Sequence, residues 1–180
     1  MNLYSLERQR GAVLVVCMII LLLLTIVGIS GARNVILQEK MTFASRDAQL
    51  ALQVTEAALR DAESVVDGLS MADPFASFNA TGSNGGLYTA GDAPADLLAE
   101  ATWENNITDV QIDIAGKSYT ASYFIEHVGQ LQQPDNVGVG AGYGGTPPVP
   151  PVEVFRIAVR GEGMANTSRV VVTHHGRRFQ

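Results

Sequence analysis

The sequence predicts an α+β fold, in which one long N-terminal helix lays its second half on a four-stranded antiparallel sheet. Three observations predict it. An uncharged apolar run spans Ala12 to Ala32, a stripe of small apolar residues continues it at helical spacing to Asp67, and two pairs of alternating segments follow in the C-terminal half.

The first element is set by its length. A bilayer core about 30 Å thick takes roughly 20 apolar residues at about 1.5 Å each, and the run from Ala12 to Ala32 meets that demand. A secretory signal has a shorter apolar region of about 7 to 15 residues and leads into a separate domain, whereas here the helical pattern carries on. Arg8 and Arg10 stand just ahead of the run and acidic residues dominate the far part of the chain, so the N-terminus is expected in the cytoplasm and the bulk outside it. Gly28 and Gly31 interrupt the upper part of the run. Each costs a helix interior about 1 kcal/mol against alanine, and either a local bend or close helix approach would account for them.

Beyond Arg33 the apolar positions Leu37, Met41, Ala44, Ala48, Ala51, Leu52, Leu59, Ala62, Val65 and Val66 fall at spacings of three and four. These ten residues are the expected packing face between helix and sheet. Glu56 and Arg60 are placed for an i to i+4 pair, and Gly68 supplies the stop after Asp67.

Length and composition bound the rest. With 180 residues, 47% of them apolar, the chain can close one modest core. A net charge of −6 and the lack of a basic stripe argue against a nucleic-acid surface. The single cysteine, Cys17, lies inside the apolar run and rules out an intramolecular disulfide.

At Arg8-Gln9-Arg10-Gly11-Ala12 the sequence resembles a type IV prepilin leader, a short basic segment ending in glycine just ahead of an apolar helix. The segment running through Gln38-Glu39, Ser45-Arg46-Asp47 and Ala51, then Glu56-Ala57-Ala58-Leu59-Arg60-Asp61-Ala62-Glu63, is similar to the N-terminal region of PilX-type minor pilins. The resemblance covers about the first third of the chain. It implies cleavage between Gly11 and Ala12 by a membrane-embedded prepilin peptidase and methylation of the new amino terminus at Ala12. Most pilins carry glutamate at the fifth mature position, where it pairs with a neighbour's amino terminus. Counted from Ala12, that position is Val16. A subunit without this carboxylate fits the fibre tip, where there is no partner above to meet, and a role in priming assembly follows as an expectation; the alternative is a subunit scattered along the shaft that tolerates the loss.

From Gly68 to about Pro94 the composition reads as a long surface loop, followed by a short helix over 94–100. Val110, Ile112 and Ile114, then Tyr119, Ala121, Tyr123 and Ile125 about a turn at Gly116, predict one hairpin. Val152–Val159 and Arg169–Thr173, joined through Gly161, Gly163 and Asn166, predict another. Between the hairpins, Gly138 to Pro151 passes from glycine-rich to proline-rich. It lacks the lysine of a phosphate-binding loop and reads as a connector whose proline half could dock a partner as polyproline II.

Catalysis finds no pattern to stand on. His127, His174 and His175 have no nucleophile spaced to them, and one thiol with three scattered histidines offers no tetrahedral zinc spacing. Asp92, Asp96 and Glu100 lack the ordered loop of a calcium site. Three Asn-x-Ser/Thr tripeptides, at Asn79, Asn106 and Asn166, match a pattern short enough for chance.

The expected organisation is a leader at 1–11, a helix at 12–67 that spans the membrane over about 12–32, and an extracytoplasmic domain at 68–180 containing the connector 138–151. No cofactor, metal or enzymatic role is expected. The resemblance implies a minor pilin that sits in a bacterial inner membrane and then enters the fibre. Its implied partners are other minor and major pilins, the prepilin peptidase, the inner-membrane assembly platform and membrane lipid. A type II secretion pseudopilin, built on the same leader and helix, is the nearest alternative, and a plain membrane-anchored binding protein that keeps its leader is the next. Loss of Glu7, Arg8 and Arg10 on cleavage leaves 10 basic and 17 acidic side chains, a charge of −7.

Overall fold

The computed structural model describes residues 9–131, 151–165 and 167–179. Most of the expected leader, nearly all of the connector at 138–151, and Asn166 lie outside the described residues. The chain divides into two units, Met1–Arg46 and Asp47–Gln180.

Helix α1 runs from Gln9 to Asp67 without a break, so Gly11, Gly28 and Gly31 are all helical. It stops where the sequence supplies Gly68, whose N–H donates back to the carbonyls of Ser64 and Val65 at 2.9 and 3.2 Å. Residues 11–46 are exposed throughout. Burial begins at Asp47 and recurs at Ala51, Val54, Thr55, Ala58, Ala62 and Val66, a stripe at intervals of three and four.

Of the ten expected packing residues, Ala51, Ala62 and Val66 are buried, while Ala48, Leu59 and Val65 are half-buried. Leu37, Met41 and Ala44 are exposed and precede the packed stretch, and Leu52 is also exposed, at 38%. The face is rotated from the expected one because it follows the small residues that let strands approach. Val54, Thr55 and Ala58 take the positions assigned to larger neighbours.

The sheet corrects the expectation of four antiparallel strands. It has five, ordered β1-β3-β4-β5 with β2 also paired to β3, and it is mixed. The four long strands are β2 (Thr108–Ile114), β3 (Lys117–Leu131), β4 (Val152–Glu162) and β5 (Ser168–Arg177), and each neighbouring pair among them is antiparallel. The fifth, β1 (Leu87–Tyr88), runs parallel to β3 with Leu87 opposite Ile125. Two residues are too few to show alternation, so composition alone reads them as loop. The expected helix over 94–100 is replaced by bends and by a single 3₁₀ turn at Glu100–Trp103.

Both faces of the sheet are covered at its centre, and β3 records this in sequence. Tyr123, Phe124, Ile125 and Glu126 are buried in succession, where a strand with one wet face would alternate. Tyr123 and Ile125 face α1 in a cluster with Val54, Ala58, Phe155, Ile157 and Val159. Phe124 and Ala158 face the other way, under Tyr88 and Trp103 from the 68–107 segment. That segment is therefore a cover with its own core contacts, and Trp103 Nε1 donates to the Leu97 carbonyl at 3.0 Å.

Candidate assembly interface

The residues named from sequence fall into two settings, each described separately. In the first unit Gly11, Ala12 and Val16 lie on exposed helix, with Val16 54% exposed. Val13 to Ile29 presents large apolar side chains on every side, and from Gly11 onward α1 is long and apolar enough to cross a membrane. Its few hydroxyls are satisfied within the helix: Thr25 donates to the Leu22 carbonyl at 2.7 Å and Ser30 to the Ile26 carbonyl at 2.9 Å. Such pairing removes the cost of an unbonded donor in lipid. Cys17 is a free, exposed thiol in the same run.

The apolar character does not end where charges begin. Val35, Ile36, Leu37, Met41 and Phe43 remain exposed among Arg33, Glu39, Lys40 and Arg46, with Phe43 63% exposed. A helix apolar all round buries itself in lipid or among other helices, and one carrying this mixture is suited to neighbouring protein.

In the second unit the helix is clamped by the β4–β5 turn. Asp47, only 8% exposed, accepts the backbone N–H groups of Met164 and Ala165 through Oδ1, at 2.5 and 3.1 Å. The nearby Thr167 hydroxyl, with support from these amides, holds its carboxyl below the usual range against the opposing effect of burial. Two glycines permit the approach. A Cβ on Gly161 would meet Thr55 Oγ1 at 2.4 Å and Thr55 N at 2.7 Å, and one on Gly163 would meet Asp47 Oδ1 at 2.6 Å and the Asp47 carbonyl at 2.9 Å. Thr55 itself donates to the Ala51 carbonyl at 2.7 Å. Sequence reading missed Asp47 and Thr55 because a polar residue in an apolar stripe breaks the pattern being counted.

The far end of the packed helix is held by the last strand. Arg177 donates to the Val66 carbonyl, one of the orphan acceptors at a helix C-terminus, and its guanidinium lies 4.6 Å from the Phe179 ring centre. His175 Nε2 lies 3.0 Å from Asp67 Oδ1. The residues that end β5 are thus anchored to the end of the helix.

Other charged groups serve the sheet. Buried Glu153 lies 2.8 Å from His127 Nε2 and accepts from Gln130 Nε2 at 2.6 Å, while His127 stacks on Phe75 with ring centres 4.3 Å apart. Glu126 accepts the Gly91 N–H at 2.7 Å and pairs with Arg156 at 2.6 Å, pinning the cover segment to the sheet. Arg160 grips Glu100 bidentately at 2.7 and 2.9 Å, and this contact lowers the Glu100 pKa. The three carboxylates weighed for calcium are occupied separately: Asp92 accepts from the Thr89 hydroxyl, Asp96 from the Leu98 N–H, and Glu100 from Arg160. Among the described residues no group of three or more His, Cys, Asp or Glu side chains is placed to hold a metal ion.

Compared with known proteins, residues 10–60 match the family model described as PilX N-terminal. None of the curated proteins and none of the solved structures matches the chain.

Proposed function

From the premise that the chain is a PilX-type type IV pilin, we propose that it serves as a minor subunit of a type IV pilus, with a structural rather than catalytic role. The observation that carries this reading is the helix itself. It has an exposed apolar stretch from Gly11 through Arg46, of a kind that needs lipid or other helices around it, followed by a stretch packed on its own sheet. A prepilin peptidase removes the leader after Gly11, and Ala12 becomes the methylated amino terminus. Before assembly the chain sits in the inner membrane with residues 68–180 outside the cytoplasm. It then joins other pilins through the exposed helix.

Val16 supports a place at or near the fibre tip. A carboxylate in an apolar helix bundle is costly unless paired, so a subunit with no partner above it gains nothing from one. The same position suits a subunit that primes assembly.

The test is the intact mass and N-terminal sequence of the chain recovered from sheared surface fibres, with and without the prepilin peptidase. N-methylated Ala12 in the fibres is the expected result, and uncut Met1 confined to membranes would overturn the assignment. Gold labelling of intact fibres decides position: decoration at the ends is expected, and uniform decoration of the shaft would sink the tip placement.

A further inference from the structure

The tripeptides at Asn79 and Asn106 differ in a way that sequence alone does not show, and the third, at Asn166, lies outside the described residues. Asn79 is committed to its own loop. Its Oδ1 accepts the Thr81 N–H at 3.0 Å, the Thr81 hydroxyl at 2.9 Å and the Ser83 N–H at 3.2 Å. Amide and hydroxyl, the two groups that an acceptor sequence must present, are tied to each other there.

Asn106 is presented outward. It is exposed, as are Glu104 and Asn105, and among the described residues its carboxamide makes no hydrogen bond. Its φ of +57° turns the chain sharply between the 3₁₀ turn and β2. Its carbonyl accepts the hydroxyl of buried Tyr88 at 3.1 Å, so the turn is fixed from beneath while the side chain stays clear.

We propose that Asn106 is an acceptor for an N-linked glycan, carried by the sequence Glu104-Asn105-Asn106-Ile107-Thr108. The donor class is an oligosaccharide linked to a membrane lipid through pyrophosphate. The inference rests on the reading that this domain is exported, since donor and transferase work on the extracytoplasmic side. The Asn106 amide nitrogen forms a bond to the anomeric carbon, and the bond from that carbon to the phosphate oxygen breaks. The lipid pyrophosphate leaves with the electron pair, and the nitrogen gives up one proton to a base of the enzyme. No oxidation or reduction takes place. Glu104, two residues ahead and exposed, offers the enzyme an ionic handle on the same turn.

Thr108 supplies the hydroxyl two residues on. In the folded chain it donates to the Gly85 carbonyl at 2.7 Å. That single bond opens locally while an enzyme reads the hydroxyl, whereas the Asn106 side chain already stands clear of the surface.

A left-handed turn by itself favours asparagine, so the test must separate backbone preference from acceptor chemistry. Full-length chain is purified from its own cell envelope and digested, and the peptide bearing Asn106 is weighed by mass spectrometry. The N-terminal peptide of the same digest shows whether the chain begins at Ala12. Added glycosyl mass on Asn106 is expected in the wild type. It should vanish in Asn106→Asp, which tolerates the same backbone, vanish in Thr108→Ala, and return in Thr108→Ser. Unmodified Asn106 overturns the assignment, whichever N-terminus accompanies it. Glycosylated Asn106 on a chain that still begins at Met1 supports the acceptor and removes the processing step from the proposed function instead.

Discussion

Asp47 and Met164 meet across 117 positions of sequence, with the Asp47 Oδ1 accepting the Met164 backbone N–H at 2.5 Å. The carboxylate lies in the first helical turn of the packed unit, and the amide lies in the turn between the last two strands. Asp47→Ala should lower the melting temperature of the domain by several degrees. The pH dependence has a definite sign. Because the folded pKa lies below the ordinary 3.8, the contribution is full above that value and is lost as pH falls through the folded one. Thermal melts from neutral pH down to acid should show wild type and Asp47→Ala converging at the acid end, and parallel curves would contradict the assignment.

Gly161 and Gly163 define how close β4 and its turn come to the helix. Since the atoms a new Cβ would strike include the backbone of Thr55 and Asp47, the clash cannot be relieved by turning a side chain. Gly161→Ala is expected to destabilise by about 1–3 kcal/mol or more, the usual range for forcing atoms into a packed site. Chemical denaturation of the purified domain measures it, and an unchanged midpoint would mean that the approach is looser than described.

Tyr123 offers a spectroscopic check at the opposite extreme of pH. Burial, with the Asp61 carboxylate accepting its hydroxyl at 3.1 Å, pushes the phenol up to about 12. A folded pKa above the unfolded value of 10.0 means that stability is intact below 10 and is lost as pH rises toward 12. Phenolate absorbance should show Tyr123 titrating late, beside Tyr88, which burial also shifts upward, and Tyr123→Phe should delete the Tyr123 step while leaving the others.

Among the described residues the buried side chains all come from residue 47 onward, so a fragment that begins at Asp47 contains the described core. Residues 47–180 expressed alone should fold, with a melting temperature within a few degrees of the full chain and none of its need for detergent. A fragment that remains unfolded would show that the exposed stretch supports the domain.

Val16→Glu tests the tip placement from the side of the missing charge. Restoring the carboxylate gives the chain the group that shaft subunits use to meet a neighbour's terminus. Gold label against this chain should then spread from fibre ends along the shaft. Label that stays where it was would separate position from this residue.

The helix and the four long strands were legible because each advertises a period, about 3.6 or 2, over seven residues or more. Tyr119, Ala121, Tyr123 and Ile125 alternate in the sequence and pair as β3 in the structure. Leu87–Tyr88 was not legible, since its strand character comes from lying beside Ile125 and Glu126 rather than from its own pattern. The helix face was read partly wrong for a related reason. Large apolar residues such as Leu37 and Met41 draw the eye, whereas the real contact selects for smallness, at Ala51, Ala58 and Ala62, and for the polar Asp47 and Thr55 whose partners lie on β5 or its turn. The exposed apolar residues before Asp47 are not packed among the described residues, so only their composition can be read.

The anchoring of α1 by Arg177 and His175 also sets an order of events in time. Strand β5 closes contacts to Val66 and Asp67 that span 111 and 108 residues, so the end of the helix is not seated until His175 and Arg177 have been made and delivered. Until then the packed stretch of α1 lacks its contacts with β5 and stays unlocked at that end. Closure of the helix end then waits on β5, and removing Arg177 and His175 would free the last turn of α1.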